Sequence, residues 1–483
     1  MKDSISKGTI YLFVAQFIFL ISGYIVHIGL GRMLGPANYG VVGIILSLML
    51  LIQTFLMRGF PQTVSKEIAA NPEKKEAFFK KAFQLQILFS AVIAIFFFLG
   101  AGVIAWLLHD SSLTAYIRLS SLVIIPTALF SLYCDGYLNG IRKFKLQAIL
   151  RTVNSVCKPI FIFPLVFLGF AVGGTIWGYI MTGIFSLFLA YYFSKIRTSS
   201  TPDHTSLSKL WKQALPVILI SVAYVLINNI DLFMLKRMLE SNYAAGIFSA
   251  ADNLARTSPQ LFFALSFTIM PAVSAALAQQ DVPLAKKYIT EALRYLLLIL
   301  LPITVVVSAT ATPLVTLFYS SSFADSGPVL QILIFGSMFF AMFTVLNSIA
   351  IGAGDSRKAL WSSALLIALS IILNWILIQK YGVQGAAMAT TATALIGVLM
   401  LLAYLNKKFE AGLEWSSTIR IIIASLVIYL LARRMNASGL WIVVEYITLA
   451  IIYLLILIFI GEMKDKDRRL IRRILPQFSW YKR

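Results

Sequence analysis

The sequence predicts an all-α polytopic membrane protein with about 14 transmembrane helices, on three observations. Hydrophobic residues make up 59% of the 483 residues and charged residues only 13%, whereas soluble domains have about 25% charged residues. The mean hydropathy is +0.85. Apolar segments of roughly 20 residues, the length that crosses a bilayer, recur from end to end, and no connection is long enough to fold its own core.

Each predicted helix ends where a cluster of polar residues, Gly or Pro interrupts an apolar run. The first six cover residues 8–31, 38–60, 82–108, 113–140, 146–168 and 172–193. The other eight cover residues 213–236, 243–276, 287–318, 326–352, 358–379, 383–406, 416–434 and 440–461. The first run is longer than the h-region of a signal peptide, about 7 to 15 residues, so we expect a retained helix.

Basic residues in the connections predict the orientation, because cytoplasmic loops accumulate Lys and Arg. One set of alternate connections holds most of them, whereas HDSS (109–112) and SSSFADSG (320–327) on the other side contain none. We therefore expect a cell membrane (inner, or cytoplasmic, membrane) protein with both termini in the cytoplasm. The net charge of +21 is spread over one membrane face, which argues against nucleic acid as a partner.

An internal repeat predicts two lobes. LGRMLGPANYGVVG (Leu30–Gly43) parallels LKRMLESNYAAGIFS (Leu235–Ser249), and LAYYFSKI (Leu189–Ile196) parallels LAYLNKKF (Leu402–Phe409). The alternative is that small residues recur by chance in packed membrane helices. Because each unit has six helices, both start on the cytoplasmic side. We therefore expect a parallel repeat about an axis along the membrane normal, with a central cleft.

The predicted organisation follows from this repeat. The parts are an N-lobe of six helices at 1–200, a C-lobe of six helices at 201–410, two C-terminal helices at 411–461 and a basic cytoplasmic tail at 462–483. The tail resembles a juxtamembrane amphipathic segment that binds anionic lipid.

Several of these segments resemble a known family. They are LGRMLGPANYGVVGIILSL, RGFPQTVSKE, NNIDLFMLKRML, AAGIFSAADNLARTSP and IMPAVSA. Together they are similar to the polysaccharide transporter (O-antigen flippase) family, which belongs to the multidrug, oligosaccharidyl-lipid and polysaccharide exporter superfamily. The resemblance spans essentially the whole chain.

The resemblance implies a flippase that moves a polyprenyl-diphosphate-linked oligosaccharide from the cytoplasmic to the external leaflet by alternating access, for cell-surface polysaccharide biosynthesis. The implied partners are this lipid-linked glycan and the lipid bilayer, with polysaccharide polymerases and glycosyltransferases as further candidates. Relatives include the lipid II flippases, whose extra C-terminal helix pair the predicted helices 416–434 and 440–461 match. A lipid II flippase is therefore an alternative.

The stretch SAADNLARTSPQ (Ser249–Gln260) places two charges inside an apolar helix. Asp252 and Arg256 are expected roughly 13 and 20 Å from the external face, at about 1.5 Å per residue. Their i,i+4 spacing puts them on one face of a continuous helix, where they can pair. Two interpretations stay open: an ion pair that only locks the helix, or a guanidinium that Asp252 orients toward a substrate phosphate.

Lys158 and Arg58 are two further candidates for the substrate site. Lys158 in VCKPIFIFP is expected near the midplane, where it either meets a phosphate or satisfies carbonyls that Pro159 and Pro164 leave free. Arg58 in MRGFPQ either snorkels to head groups or lines the inward mouth. Arg58 resembles a cavity arginine of the lipid II flippases, and this resemblance favours the second role, at the inward mouth.

Arg294 completes the candidate set, about seven residues into its predicted helix, with Glu291 available as a partner at i,i+3. His27 is considered as a proton-coupling group, although a lone helical histidine is more often a packed one. The three histidines are scattered, and Cys134 and Cys157 are too few for a four-cysteine metal site. We expect no catalytic residue, metal or cofactor.

Two other functions fit these residues less well. A drug/cation antiporter of the same superfamily favours acidic cavity residues. The predicted helix 8–31 contains no Asp or Glu, and the midplane candidates comprise two cations, Lys158 and Arg256, and one anion, Asp252. A membrane glycosyltransferase or polymerase needs carboxylates or a metal-binding loop at the aqueous face. The longest external connections, such as YSSSFADSGP, have only about ten residues.

Overall fold

The structure, a computed structural model, describes residues 5–57, 59–194, 196, 215, 218, 221–222, 225–435, 437–463 and 467. These residues form helices and short connections, with no strand among them. Nine helices in this part of the chain are long and apolar enough to cross a membrane. Three long segments, Ile5–Met57, Phe144–Ser194 and Ser356–Phe409, have 53, 51 and 54 residues, so each supplies two crossings. The predicted all-α polytopic fold is confirmed.

The chain divides into two compact units. The first consists of Met1–Asn253 and Ile367–Ala386, and the second consists of Leu254–Leu366 and Ala387–Arg483. The described helices before the division are α1 (Ile5–Met57), α2 (Phe60–Ala70), α3 (Lys75–Leu107), α4 (Leu113–Ser120), α5 (Ile124–Ser131), α6 (Phe144–Leu165), α7 (Ala171–Ser194), α8 (Ile230–Leu239) and α9 (Asn242–Ala255).

The later helices are α10 (Thr257–Ala278), α11 (Val282–Ala309), α12 (Ala311–Phe318), α13 (Ser326–Gly352), α14 (Ser356–Phe409), α15 (Trp415–Met435) and α16 (Trp441–Phe459). In the second unit, α15 packs on α11 and α16 packs on α15. The apolar residues of this contact include Val306, Ile428 and Tyr453. The pair α15 and α16 corresponds to the two predicted C-terminal helices.

Single glycines join pairs of crossings inside two long helices. Gly35 has φ 71° and ψ 172° within α1, and Gly382 has φ 58° and ψ −130° within α14. Side chains with a Cβ rarely adopt these angles, so glycine suits both positions. Pro36 begins the second half of α1 because its fixed φ matches the first helical turn and it needs no N–H acceptor there.

The helix α2 was not predicted, because the apolar run 38–60 conceals its start. The structure ends α1 at Met57 and turns at Gly59, with φ 82°, before α2 begins. Phe60, Val64 and Ile68 lie on one face of α2 and are buried against a π-helical segment, Leu132–Leu138.

Two predicted helices are interrupted, and the continuous helices 243–276 and 287–318 are corrected accordingly. The first breaks at Arg256, because Thr257 donates to the Leu254 carbonyl at 2.9 Å and Pro259 has no N–H to continue the ladder. The second breaks at Thr310, whose hydroxyl bonds the Val306 carbonyl at 2.9 Å and the Tyr446 hydroxyl at 2.7 Å.

Candidate functional site

Lys158 lies in α6, which packs against α1 and α7. Its Nζ atom is 4.8 Å from the centroid of the Phe19 ring and 5.9 Å from that of the Tyr179 ring. The described part of the chain places no carboxylate or carbonyl within bonding distance of this amine. Aromatic faces attract a cation but have no net charge. The positive charge of Lys158 is therefore not compensated by these neighbours.

Arg151, two helical turns before Lys158, is a cation that sequence reasoning did not single out. Its Nε donates to Asp135 Oδ1 at 3.1 Å, and its Nη2 donates to the same oxygen. Gln147 donates to that oxygen at 3.1 Å, and Ser131 donates to Asp135 Oδ2 at 2.9 Å.

A periodic signal in the sequence points to Arg151. Polar residues recur every three or four positions along the apolar helix α6, at Gln147, Arg151, Asn154, Ser155 and Lys158. This spacing places them on one face of the helix. We call these five residues the α6 polar stripe.

Asp252 lies in the last turn before the interruption in the predicted helix 243–276, and Arg256 lies at the interruption itself. Asp252 is in α9, and Arg256 immediately precedes α10 with φ −67° and ψ −7°. Both side chains are half-buried. The residues from Asp252 to Ala255 are helical, so the predicted i,i+4 relation of Asp252 with Arg256 stays a prediction.

His27 and α9 meet at Tyr39. The His27 Nδ1 atom is 3.0 Å from the Tyr39 hydroxyl, and the Asn253 side chain donates to that hydroxyl at 3.3 Å. The Tyr39 side chain is buried. A buried hydroxyl thus joins both halves of α1 to α9.

The second half of α1 crosses α9 at two glycines. A Cβ on Gly40 would lie 2.0 Å from the Asn242 carbonyl oxygen, and a Cβ on Gly246 would lie 1.9 Å from the Pro36 carbonyl oxygen. The spacing that separates Gly40 from Gly246 also separates Pro36 from Asn242. The contact is therefore reciprocal, as expected where equivalent segments of a repeat meet at a two-fold axis.

A second contact in the first unit joins α8 and α9 to the connection before α4. The Lys236 side chain is 1% exposed, and its Nζ donates at 2.6 Å both to Asp110 Oδ2 and to Asn242 Oδ1. His109 Nδ1 lies 2.9 Å from Glu240 Oε1. We call these five residues the Lys236 cluster. Burial raises the pKa of Asp110 and the Lys236 hydrogen bond lowers it, with a net pKa below the ordinary value.

Arg294 is buried in α11 beside the start of the C-terminal tail. Its Nε donates to Glu462 Oε1 at 2.7 Å and to Ser417 Oγ at 3.2 Å, and its Nη2 donates to Asp467 Oδ2 at 2.7 Å. The side chains of Arg294, Glu462 and Asp467 are 4%, 1% and 6% exposed. This geometry favours a role in anchoring the tail.

Arg58 lies outside the described residues. Among the residues that are described, no three His, Cys, Asp or Glu side chains form a group that could hold a metal ion.

The chain is similar in sequence to several membrane proteins. It is 23% identical over 425 residues to the uncharacterized membrane protein MJ1375 of Methanocaldococcus jannaschii, over 83% of this chain and 98% of that protein. It is 22% identical over 479 residues to the lipid II flippase MurJ of Bacillus subtilis, over 89% of this chain and 87% of that protein.

Solved structures share the fold. A lipid II flippase MurJ in an inward closed conformation aligns with a TM-score of 0.79 and 17% identity, over 97% of this chain and 100% of that chain. An inward-facing multidrug resistance MATE family transporter of the MOP superfamily aligns with a TM-score of 0.69 and 16% identity, over 80% and 94% of the two chains. These likenesses are evidence for the fold alone.

The family model described as "polysaccharide biosynthesis protein" matches residues 30–328, well over half of the chain. The match begins at the LGRMLGPANYG segment and continues past SAADNLARTSPQ, so it covers most of the segments on which the resemblance depends. The chain therefore belongs to the polysaccharide biosynthesis protein family, the polysaccharide transporter family that its motifs resemble.

Proposed function

We propose that this protein flips a polyprenyl-diphosphate-linked oligosaccharide from the cytoplasmic to the external leaflet by alternating access, for cell-surface polysaccharide biosynthesis. The physical task is to move a diphosphate and a polar glycan across about 30 Å of hydrocarbon. Fixed cations in a water-filled cleft lower this barrier by solvating the head group, while the polyprenyl tail stays in lipid.

Lys158 is the observation that carries the proposal. An ammonium group near the middle of a bilayer is costly unless water or an anion accompanies it. Its described neighbours, the Phe19 and Tyr179 rings, supply no negative charge. A substrate diphosphate supplies the missing charge, and the rings limit the directions from which it can approach.

Arg256, Asp252 and Arg58 remain parts of the proposed substrate site. Arg256 stands at a helix interruption, where a guanidinium can meet phosphate oxygens in bidentate geometry. We propose that Asp252 tunes its orientation and that Arg58 serves the inward mouth. For Arg294, the buried contacts with Glu462 and Asp467 support a structural role in place of the predicted substrate contact.

Alternating access requires a closure on one face that can be broken. On the predicted topology, the Lys236 cluster and the crossing of Gly40 with Gly246 lie at the external face. Both join segments of the first repeat to the beginning of the second. We propose that they close the external side while the substrate enters from the cytoplasm.

The main alternative is a lipid II flippase, because the Bacillus subtilis relative has that function and its substrate is also a polyprenyl diphosphate. A drug/cation antiporter shares the fold, but its cationic substrates favour carboxylates over Lys158. We further propose a location in the cytoplasmic membrane with both termini in the cytoplasm. Glycosyltransferases that build the glycan and a polymerase that uses it would then be functional partners.

A flipping assay tests the proposal. The purified protein is reconstituted into liposomes with a fluorescent polyprenyl-diphosphate oligosaccharide, and an impermeant quencher reports which head groups have crossed. We expect Lys158→Gln to slow flipping by about tenfold or more, the factor that about 1.4 kcal/mol of lost phosphate interaction produces. Lys380→Gln, which removes a cation from the predicted external end of its helix, is the matched control.

Two further arms separate the alternatives. Replacing the oligosaccharide by the lipid II head group shows which glycan is preferred, and a cationic dye tests the antiporter. Flipping by Lys158→Gln at the wild-type rate would exclude Lys158 from the site. Dye transport without flipping of either lipid would replace the flippase proposal by the antiporter.

A further inference from the structure

The α6 polar stripe extends the cationic surface beyond Lys158. Arg151 precedes Lys158 by seven residues, so the two lie on one helix face about 10 Å apart along the axis. On the predicted topology α6 begins at the cytoplasmic face, which places Arg151 on the cytoplasmic side of Lys158. A head group that moves along this face from the cytoplasm toward the middle of the bilayer meets Arg151 before Lys158.

The guanidinium of Arg151 has one edge engaged and one edge open. Nε and Nη2 form the edge that faces Asp135 Oδ1. In the described part of the chain, the third nitrogen, Nη1, donates to no acceptor. The side chain is 40% exposed, whereas that of Asp135 is 20% exposed. Arg151 therefore keeps exposed surface that Asp135 does not cover.

The carboxylate of Asp135 is held in place independently of Arg151. Ser131 donates to one of its oxygens at 2.9 Å and Gln147 donates to the other at 3.1 Å. Asp135 belongs to the π-helical segment Leu132–Leu138, a type of distortion that is frequent at functional sites. This arrangement orients a guanidinium so that phosphate oxygens can bind its second edge.

The second repeat has no equivalent pair of cations. Arg142-Lys143 and Arg357-Lys358 precede the fifth predicted helix of each unit, and when they are aligned the positions that correspond to Arg151 and Lys158 are Leu366 and Leu373. A purely structural feature of the fold would be expected in both repeats. The stripe is a specific property of the first.

We propose that Arg151 forms a second diphosphate subsite, on the cytoplasmic side of Lys158, with Asp135 as its positioning residue. This inference rests on the proposed function and adds to it the path by which the head group reaches Lys158. The diphosphate binds the open edge of Arg151 and then passes to Lys158. Two weaker sites in series hold an anion without trapping it.

Binding of inorganic pyrophosphate to the detergent-purified protein, measured by calorimetry, tests the subsite without transport. We expect Arg151→Gln to weaken binding by about tenfold, and Arg151→Lys to weaken it less because charge survives but the planar fork does not. Arg118→Gln, an exposed cation of the same unit, is the matched control and should bind as the wild type does. A second arm uses nanodiscs that contain a polyprenyl diphosphate, which distinguishes the lipid-linked from the free ligand.

A double variant separates binding from a purely structural ion pair. Asp135→Asn with Arg151→Gln removes both charges, so the fold keeps no unpaired partner and its thermal midpoint should approach that of the wild type. Loss of pyrophosphate binding in this stable variant supports the subsite, and wild-type binding overturns it. Because the double variant retains the fold, instability of Arg151→Gln alone does not obscure the result.

The same proteins distinguish failure of the inference from failure of the proposed function. If the wild type flips the lipid-linked oligosaccharide and Arg151→Gln flips and binds equally well, the subsite is wrong and the function stands. If pyrophosphate binding depends on Arg151 but no lipid is flipped, the subsite stands and the flippase proposal fails. A wild type that neither binds nor flips a diphosphate overturns both.

Discussion

Arg151 and Arg294 both pair with carboxylates, but they differ in burial, and this difference indicates which of them can bind a substrate. The Arg151 side chain is 40% exposed and faces one carboxylate, so part of its hydrogen-bonding capacity is available. The Arg294 side chain is 4% exposed and faces Glu462 and Asp467. Binding a substrate at Arg294 would first require separation of these buried pairs.

We predict that Arg294→Met destabilises the protein by about 3 to 5 kcal/mol, the usual cost of leaving a buried charge without its partner. Glu462 and Asp467 would lose the cation that compensates them. Thermal unfolding in detergent should show a lower midpoint, and flipping per folded molecule should change little. Arg294→Lys keeps the charge and should lose less stability.

Arg420 provides the control for this substitution. Its side chain is 42% exposed and lies 3.8 Å from the same Glu462 carboxylate. Exposed ion pairs contribute only about 0 to 1 kcal/mol, so Arg420→Met should leave the midpoint nearly unchanged. If Arg294→Met instead abolished flipping at an unchanged midpoint, Arg294 would belong to the substrate site as the sequence predicted.

At the crossing of α1 with α9, equivalent segments of the two repeats contact each other. The sequence aligns Gly40 with Gly246, but it contains no information that the two glycines touch. In the structure each lies against the backbone that precedes the other, and Ser249 faces Gly43 one turn later. Glycine is needed because only a helix without side chains at the crossing allows this backbone approach.

We predict that Gly40→Ala or Gly246→Ala separates α1 from α9. The added Cβ would lie about 2 Å from a carbonyl oxygen, so one backbone must move. In a variant without Cys134 and Cys157, a cysteine in place of Ser249 should then react faster with an impermeant thiol reagent. The labelling rate, compared with that of the protein with both glycines, is the measurement.

Gly173→Ala is the control, because a Cβ at Gly173 meets no atom within 4 Å. It should leave the labelling rate of Ser249→Cys unchanged. Equal labelling in the Gly40→Ala, Gly246→Ala and Gly173→Ala variants would mean that the crossing does not close the external side.

The topology of the whole molecule depends on the distribution of charge in its connections. The described crossings follow the predicted helices in order, and short Gly-containing turns join several of them, whereas part of the predicted helix 213–236 lies outside the described residues. Which face of the membrane each connection occupies is a prediction from the positions of Lys and Arg alone.

We predict that a cysteine in place of Ser479, in the basic tail, is not labelled by an impermeant reagent in intact cells. A cysteine in place of Ser321, in the predicted external connection SSSFADSG, should be labelled. Both substitutions are made without Cys134 and Cys157, and permeabilised cells show that each site is reactive. External labelling of Ser479→Cys would reverse the predicted orientation.

Features that depend on one segment at a time follow from the amino-acid sequence. The thickness of the hydrocarbon selects apolar runs of a certain length, so the fold class and the order of crossings could be predicted. The breaks at Arg256 and Thr310 were missed because the runs around them are long and apolar enough to be taken as single helices, although each break lies three residues before a proline, Pro259 or Pro313.

The charges that compensate one another are identified by the packing of the helices and not by sequence spacing. Arg294 meets Glu462 across 168 residues, and Lys236 meets Asp110 across 126, separations at which sequence spacing predicts no partner. Arg151 is oriented by Asp135 through packing of α6 on a π-helical segment. Lys158 stands out only because the described side chains around it are aromatic. Pairing depends on distances between segments, and these distances are set when the helices pack.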